Sequence, residues 1–103
     1  MSIHHEITLK TRGETDIIDI TAQVRRVLEE AGANDGMVHV FVPGSTAGVT
    51  TIEYEPGCIR DLRDAFERIA PREGHYEHNK RWGDGNGFSH VRAAVLEIGR
   101  AHV

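Results

Sequence analysis

The side chains that could do chemistry are concentrated in the glycine-rich run 74–90. His78, Asp84, Asn86 and His90 lie in this run, together with four of the chain's eleven glycines. Imidazole nitrogens and carboxylate oxygens are common ligands of zinc and similar divalent ions, and they also serve as general acids and bases near neutral pH. Their spacing matches no standard zinc motif. The alternative is that Asp84 and Asn86 only build turns, but this leaves the two flanking histidines unexplained.

A second candidate site is the loop of small residues at 44–48. Ser45 and Thr46 lie in this loop between two stretches with strand character. Hydroxyl groups and free backbone amides in such a loop can form a concavity for an anion such as phosphate. The loop lacks the lysine of a P-loop, so it does not indicate nucleotide binding. The alternative is a plain hairpin connection.

The patterning of apolar residues predicts the elements that must position these groups. Alternation and β-branched content predict strands at 2–10, 37–42 and 49–54. Apolar residues at helical spacing predict helices at 21–31, 58–70 and 89–96. The glycine-rich run before the last helix is predicted to lack regular structure. The order of these elements indicates a single α+β domain with an antiparallel sheet and a thin core.

The ends and the buried faces of the helices are also predicted. Asp19 or Thr21 is expected to cap the first helix, and Gly32 to end it. The second helix is expected to bury one stripe of side chains, and the third another. These stripes are Ile59, Leu62, Phe66 and Ile69 in the second helix, and Val91, Ala94 and Val95 in the third.

Composition narrows the classes of function. The chain has 103 residues, a net charge of -4 and no basic block, so nucleic acid is not an expected partner. No apolar run approaches the length that spans a membrane. The single Cys58 cannot form an internal disulfide and fits a reducing compartment. We therefore expect a cytoplasmic protein with no membrane partner.

Three motifs in the same chain resemble those of the YjbQ-like family, also described as the secondary thiamine-phosphate synthase family. They are FVPGSTAGVTTIEYEPG at 41–57, HYEHN at 75–79 and DGNGFSHVRA at 84–93. The resemblance implies a small α+β protein built as an antiparallel β-sandwich with two main helices. It also implies a homotrimer when full length.

The resemblance further implies a transferase that joins a pyrimidine pyrophosphate to a thiazole phosphate and releases pyrophosphate. The implied catalytic residues are His90, Asp84 and His78, which would also hold any divalent metal, zinc or magnesium. The implied substrate-binding residues are Ser45, Thr46 and Asn86. The alternative is a non-catalytic module that binds a phosphorylated metabolite or a divalent metal through the same pocket. A third interpretation makes the polar loop a trimer contact only.

The end of the chain departs from the family pattern. Residues 97–103, EIGRAHV, are the residues that a common sequencing adapter encodes. We therefore expect 1–96 to be an incomplete YjbQ-like domain that lacks its C-terminal strands, and 97–103 to be a non-native tail. A genomic sequence that encodes this tail with its own stop codon would refute that expectation.

Overall fold

The computed structural model of the protein describes residues 3–13, 15–83 and 85–96, and for Trp82 the backbone alone. The chain divides at residues 39 and 40 into two compact units. The first unit contains helix α1 (Thr21–Glu30). The second contains α2 (Pro56–Ile69), α3 (Glu77–Trp82) and α4 (Gly87–Leu96). None of these helices is long and apolar enough to cross a membrane.

The predicted antiparallel β-sandwich is wrong for the part of the chain that is described. No strand forms at 3–10, 37–42 or 49–54. Phe41 is 59% exposed and Met37 96% exposed, so the expected burial of these stretches does not occur. Strand propensity largely reflects how well side chains fit a half-buried pleated surface, and a strand needs a partner to satisfy its backbone groups. Alternation in sequence cannot supply that partner.

Helix α1 in the first unit begins where a carboxylate can accept from a free backbone amide. The Thr21 N–H donates to Asp19 Oδ1 at 2.9 Å, so this carboxylate satisfies the first amide of the helix. The N-cap position itself is Ile20, not the predicted Asp19 or Thr21. A hydrogen bond from the Thr21 side chain, together with the one from its backbone, lowers the pKa of the Asp19 carboxyl. After the helix, Gly32 takes a φ of +66° and its N–H donates to Glu29 O at 3.1 Å. The predicted helix and its glycine stop are therefore both present.

Helix α2 begins at Pro56, two residues before the predicted start. The Glu55 carboxylate accepts hydrogen bonds from Gly57 N at 2.8 Å and Cys58 N at 2.9 Å, and these two bonds lower its pKa. A proline at the first helical position fits because its missing N–H would have no intrahelical partner. The carboxylate and the proline together fix where the helix begins.

The buried core of the second unit differs in part from the predicted stripes. Its apolar members come from α2, α4 and the residue after α2, and they are Ile59, Phe66, Ala70, Phe88 and Ala93. Four predicted core positions are wrong: Ile69 is 57% exposed, and Val91, Ala94 and Val95 all lie on the exposed side of α4. Helix α4 instead buries Phe88, Arg92 and Ala93, and His90 on the same helix is half-buried.

Candidate functional site

The candidate site lies where α3 and α4 pack together in the second unit. The predicted irregular run is largely helical, because the glycines fall at helix ends rather than inside helices. Gly83 follows α3 with a φ of +69°, and its N–H donates to Asn79 O at 2.7 Å. A left-handed residue is the usual way to end a helix, and glycine adopts it without steric cost. The chain can then reverse toward α4.

Gly87 brings the start of α4 into close contact with the start of α3. Its N–H donates to the side-chain oxygen of Asn79 at 2.8 Å. A Cβ atom at position 87 would lie 2.6 Å from Tyr76 Cβ and 2.9 Å from Asn79 Oδ1. The Tyr76 hydroxyl in turn donates to Pro71 O. The two helices can therefore approach this closely only because residue 87 has no side chain.

This close approach places the rings of His78 and His90 side by side. Their centroids are 4.5 Å apart and the rings are tilted by 44°. Both histidines are half-buried, one on α3 and the other in α4. The N–H of His90 donates to Asn86 O at 3.3 Å, so the histidine is fixed to the first turn of its helix. Two imidazoles in this arrangement can contact the same functional group of a ligand, as proton donors or acceptors.

Arg92 holds α4 against the end of α2. Its Nε donates to Ala70 O at 3.0 Å and its Nη2 donates to Glu67 Oε2 at 2.8 Å. The guanidinium carbon also lies 4.9 Å from the centroid of the Phe88 ring and 5.9 Å from that of Phe66. Sequence analysis missed this residue, because its apolar neighbours on α4 suggested a different inward face.

Asn79 is the second residue that sequence analysis missed. It directly follows His78 in chain order, and its side chain bonds to Gly87 at the start of the helix that carries His90. A side-chain amide beside a histidine in the HYEHN motif was the only sequence signal. The pairing partner lies eight residues away, so nothing local identified it.

The remaining predicted site residues lie elsewhere or outside the described part of the chain. Ser45 and Thr46 are exposed in a bend that follows Gly44, whose φ is +98°. Among the described residues, no hydrogen bond joins either hydroxyl to His78 or His90. Asn86 precedes α4 and accepts from Ser89 N at 3.0 Å through its backbone oxygen. Asp84 lies outside the described residues.

The described residues do not complete a metal site. Zinc in proteins is usually held by about four ligands, of which at least three come from protein side chains. Within 3–13, 15–83 and 85–96, no three histidine, cysteine, aspartate or glutamate side chains are grouped closely enough to hold an ion. His78 and His90 could each offer one nitrogen to a shared ion, which makes two ligands at most. The predicted zinc or magnesium ion thus stays a prediction, and no chemistry below depends on it.

Comparison with known proteins supports a family relationship over almost the whole chain. A family model described as "UPF0047 protein YjbQ-like" matches residues 5–100. A UPF0047 protein of Archaeoglobus fulgidus is 36% identical over 91 residues, which cover 88% of this chain and 68% of the relative. A UPF0047 protein of Methanothermobacter thermautotrophicus is 35% identical over 91 residues, covering 88% of this chain and 62% of the relative.

A more distant relative gives the same result. UPF0047 protein YugU of Bacillus subtilis is 29% identical over 92 residues, covering 87% of this chain and 67% of the relative. The matches therefore span between 62% and 68% of the length of these three relatives. No solved structure matches the chain significantly.

Proposed function

Because the chain belongs to the UPF0047 protein YjbQ-like family, we propose that the His78–His90 pair is the centre of its activity and that this pair acts on a phosphorylated metabolite. The observation that supports this proposal is the 4.5 Å separation of the two half-buried rings. Histidine is the side chain whose charge most readily changes near neutral pH. Two of them on facing helices form a site that can donate and accept protons.

The specific reaction that we propose is of the thiamine-phosphate synthase type, a group transfer. The bond between the methylene carbon of a pyrimidine pyrophosphate and its bridging oxygen breaks, and both electrons leave with pyrophosphate. The nitrogen of a thiazole phosphate then forms the new carbon–nitrogen bond with its lone pair. An imidazolium at His90 or His78 would donate its proton to an oxygen of the departing pyrophosphate, whose charge it also balances.

Helix packing supplies the rigidity that such a role requires. Asn79 and Gly87 fix the distance between α3 and α4, and Arg92 fixes α4 against the end of α2. A side chain held by packing and by hydrogen bonds from its supporting residues loses little freedom when the substrate binds. Ser45 and Thr46 remain proposed phosphate ligands, and Asp84 and Asn86 remain proposed positioning groups.

A non-catalytic binding module is the second candidate. It is favoured by the exposure of Ser45 and Thr46, which no hydrogen bond among the described residues ties to the histidine pair. In that case the two imidazoles bind a phosphorylated metabolite without converting it. Both candidates use the same pair, so one set of variants tests both.

The test combines a thiamine phosphate assay with a binding measurement on the full chain. The variants are His78→Gln and His90→Gln, and the matched control is His75→Gln, an exposed histidine two residues before α3. Activity that falls at least about tenfold in both pair variants and persists in the control supports the enzyme. Pyrophosphate binding that depends on the pair, with no product formed, supports the binding module. Activity and binding that are unchanged in both pair variants refute both candidates.

A further inference from the structure

The dipeptide Asn86–Gly87 at the start of α4 can undergo a reaction of its own, apart from any activity of the histidine pair. An asparagine that precedes glycine is prone to deamidation, because glycine has no side chain to hinder attack by its backbone nitrogen. The Gly87 nitrogen loses its proton to hydroxide and forms a bond to Cγ of Asn86. The Cγ–Nδ2 bond breaks, and Nδ2 takes up a proton and leaves as ammonia. Water then opens the resulting succinimide ring and leaves aspartate or isoaspartate.

The peptide group between these two residues takes part in three hydrogen bonds. Its carbonyl, the Asn86 O, accepts from Ser89 N at 3.0 Å and from His90 N at 3.3 Å. Its N–H, that of Gly87, donates to Asn79 Oδ1 at 2.8 Å. Ring closure needs this N–H to lose its proton and the peptide group to turn toward the Asn86 side chain. The reaction therefore requires the bond to Asn79 to break.

The packing of Tyr76 restricts the same peptide group. Gly87 is buried, and a Cβ atom built on it would lie 2.6 Å from Tyr76 Cβ and 2.8 Å from Tyr76 Cγ. The tyrosine side chain thus lies directly against the Gly87 Cα atom. In a close-packed interior such contacts prevent large rotations of the backbone. Gly87 can turn only when the junction of α3 and α4 opens.

We propose that Asn86 is a deamidation site whose rate is controlled by opening of the α3–α4 junction, and that Asn79 is the residue that suppresses the reaction. Parts of a folded protein open locally with a free energy that their own contacts determine. The observed rate is then the rate of the unfolded sequence multiplied by the fraction of molecules in which the junction is open. Loss of the Asn79 acceptor raises that fraction.

The two products should affect α4 differently. Aspartate leaves the main chain unchanged and places a negative charge at the start of the helix, where the helix dipole favours it. Isoaspartate routes the main chain through its Cβ atom, so the carbonyl next to Gly87 is displaced from the amides of Ser89 and His90. We therefore expect the isoaspartate form to lose the fixed position of His90 and the aspartate form to keep it.

The experiment follows deamidation of the full chain over time in mildly alkaline buffer, with the chain in urea as the unfolded reference. Mass spectrometry of the tryptic peptide 82–92 is the measurement, because deamidation changes its mass whereas isomerisation of Asp84 does not. The variants are Asn79→Ala and Asn79→Asp. Ile59→Val is the matched control, because Ile59 is buried in α2, outside the junction. Asn34 in the first unit is the internal reference in every sample.

The expected rates at Asn86 differ between these samples. We expect the folded chain to react at least about thirtyfold more slowly than the chain in urea. Asn79→Ala should react about five to thirty times faster than the unmodified folded chain, the factor that corresponds to one lost hydrogen bond. Asn79→Asp, which keeps an acceptor oxygen, should stay within about twofold of the unmodified chain. Ile59→Val should leave the rate at Asn86 unchanged, and no variant should alter the rate at Asn34.

Several results would overturn the proposal. Equal rates in buffer and in urea would show that the fold does not protect Asn86, and this comparison needs no variant to fold. An unchanged rate in Asn79→Ala, or a rate in Asn79→Asp as fast as in urea, would show that the acceptor oxygen does not suppress the reaction. Equal acceleration in Ile59→Val would assign the rate to unfolding of the whole second unit.

Discussion

Arg92 Nη2 donates to Glu67 Oε2 at 2.8 Å, and the two residues are 25 positions apart in the chain. The Arg92 side chain is 8% exposed, whereas that of Glu67 is 56% exposed. The pair therefore joins a buried cation to a carboxylate at the surface, where solvent screens much of the attraction. The hydrogen bond to Ala70 O and the two phenylalanine rings must then provide much of what holds Arg92 in place.

Replacement of Arg92 should destabilise the second unit more than replacement of its acidic partner. Arg92→Ala leaves the Ala70 carbonyl without its donor and opens space between two aromatic rings, so we expect a loss of about 2–4 kcal/mol in the free energy of unfolding. Arg92→Met keeps the apolar stem and should lose less. Glu67→Gln should cost only about 0–1 kcal/mol, because solvent screens the carboxylate end of the pair and glutamine keeps an oxygen that can accept from Arg92.

Urea denaturation of the three variants measures these differences. Equal losses for Arg92→Ala and Glu67→Gln would contradict the view that packing and the carbonyl bond dominate. The comparison with Arg92→Met separates the charge from the volume of the side chain.

Gly87→Ala should disrupt the junction of α3 and α4. The added methyl group would lie 2.6 Å from Tyr76 Cβ. That atom is bonded to the backbone, so rotation of the side chain cannot move it. We expect a loss of about 1–3 kcal/mol, the usual cost of overpacking, and a change in the environment of the His78 and His90 rings. Thermal unfolding and the histidine ¹H–¹³C NMR spectrum measure the two effects.

Gly57→Ala is the control for that substitution. A Cβ at position 57 meets only the side-chain end of Glu55, at 3.0 Å or more, and this carboxylate can shift by a few tenths of an ångström while it keeps its hydrogen bonds. It should therefore be nearly neutral. If both alanine variants are equally stable, the proposed close approach at Gly87 is not a constraint on the fold.

Asn79→Ala should weaken the same junction through a hydrogen bond and not through packing. It removes the acceptor of the partly buried Gly87 N–H, so we expect a loss of about 1–2 kcal/mol. Asn79→Asp keeps an acceptor oxygen and should retain most of the stability. Hydrogen exchange of the Gly87 amide is the direct measurement: it should speed up in Asn79→Ala and remain protected in Asn79→Asp.

How much of this could be predicted from the sequence depends on how local each signal is. The sequence predicts helices α1 and α2 because their apolar stripes, and for α1 the glycine at position 32, act within a few residues of one another. The start of α2 at Pro56 is not predicted. The strands were wrong because a strand depends on a distant partner. The short helix α3 was missed because Gly83 and Gly85 were counted as breaking the run, although they lie after the helix.

The candidate site follows the same rule. The position of His78 and His90 on either side of a glycine turn directed attention to this pair before any distance was known. Their rotation toward each other depends on Gly87 against Tyr76 and on Arg92 against Ala70, and neither contact has a local signature. The catalytic and substrate-binding roles of the site residues stay predictions.

Acid should destabilise α2 through Glu55. Hydrogen bonds from the Gly57 and Cys58 amides lower the pKa of Glu55 in the folded chain. A carboxyl with a lowered folded pKa contributes stability that is fully present above its unfolded pKa and is lost as pH falls through the folded value. The loss should therefore occur below the unfolded glutamate pKa of about 4.3.

Glu55→Gln tests this pH dependence. Helix content, followed by circular dichroism between neutral and strongly acidic pH, should depend less on pH in this variant than in the unmodified chain. Glu6→Gln, which alters an exposed glutamate of the first unit, should leave the acid transition unchanged. An identical acid transition in Glu55→Gln would show that the cap carboxylate carries none of the effect.

The thiol of Cys58 should react slowly with alkylating reagents at neutral pH. Partial burial raises its pKa, and the nearby Glu55 carboxylate raises it further through a hydrogen bond and through its negative charge. Because the thiolate is the nucleophile, a raised pKa lowers the reactive fraction at a given pH.

We expect iodoacetamide to modify Cys58 more slowly than a cysteine in an unfolded peptide. The pH at which the alkylation rate reaches half of its maximum should also be higher for Cys58. Glu55→Gln should move that midpoint down, while Asp64→Asn, which changes a carboxylate that does not contribute to the shift, should leave it in place. If Cys58 in the folded chain is alkylated as fast as the cysteine of the unfolded peptide, neither burial nor Glu55 protects it.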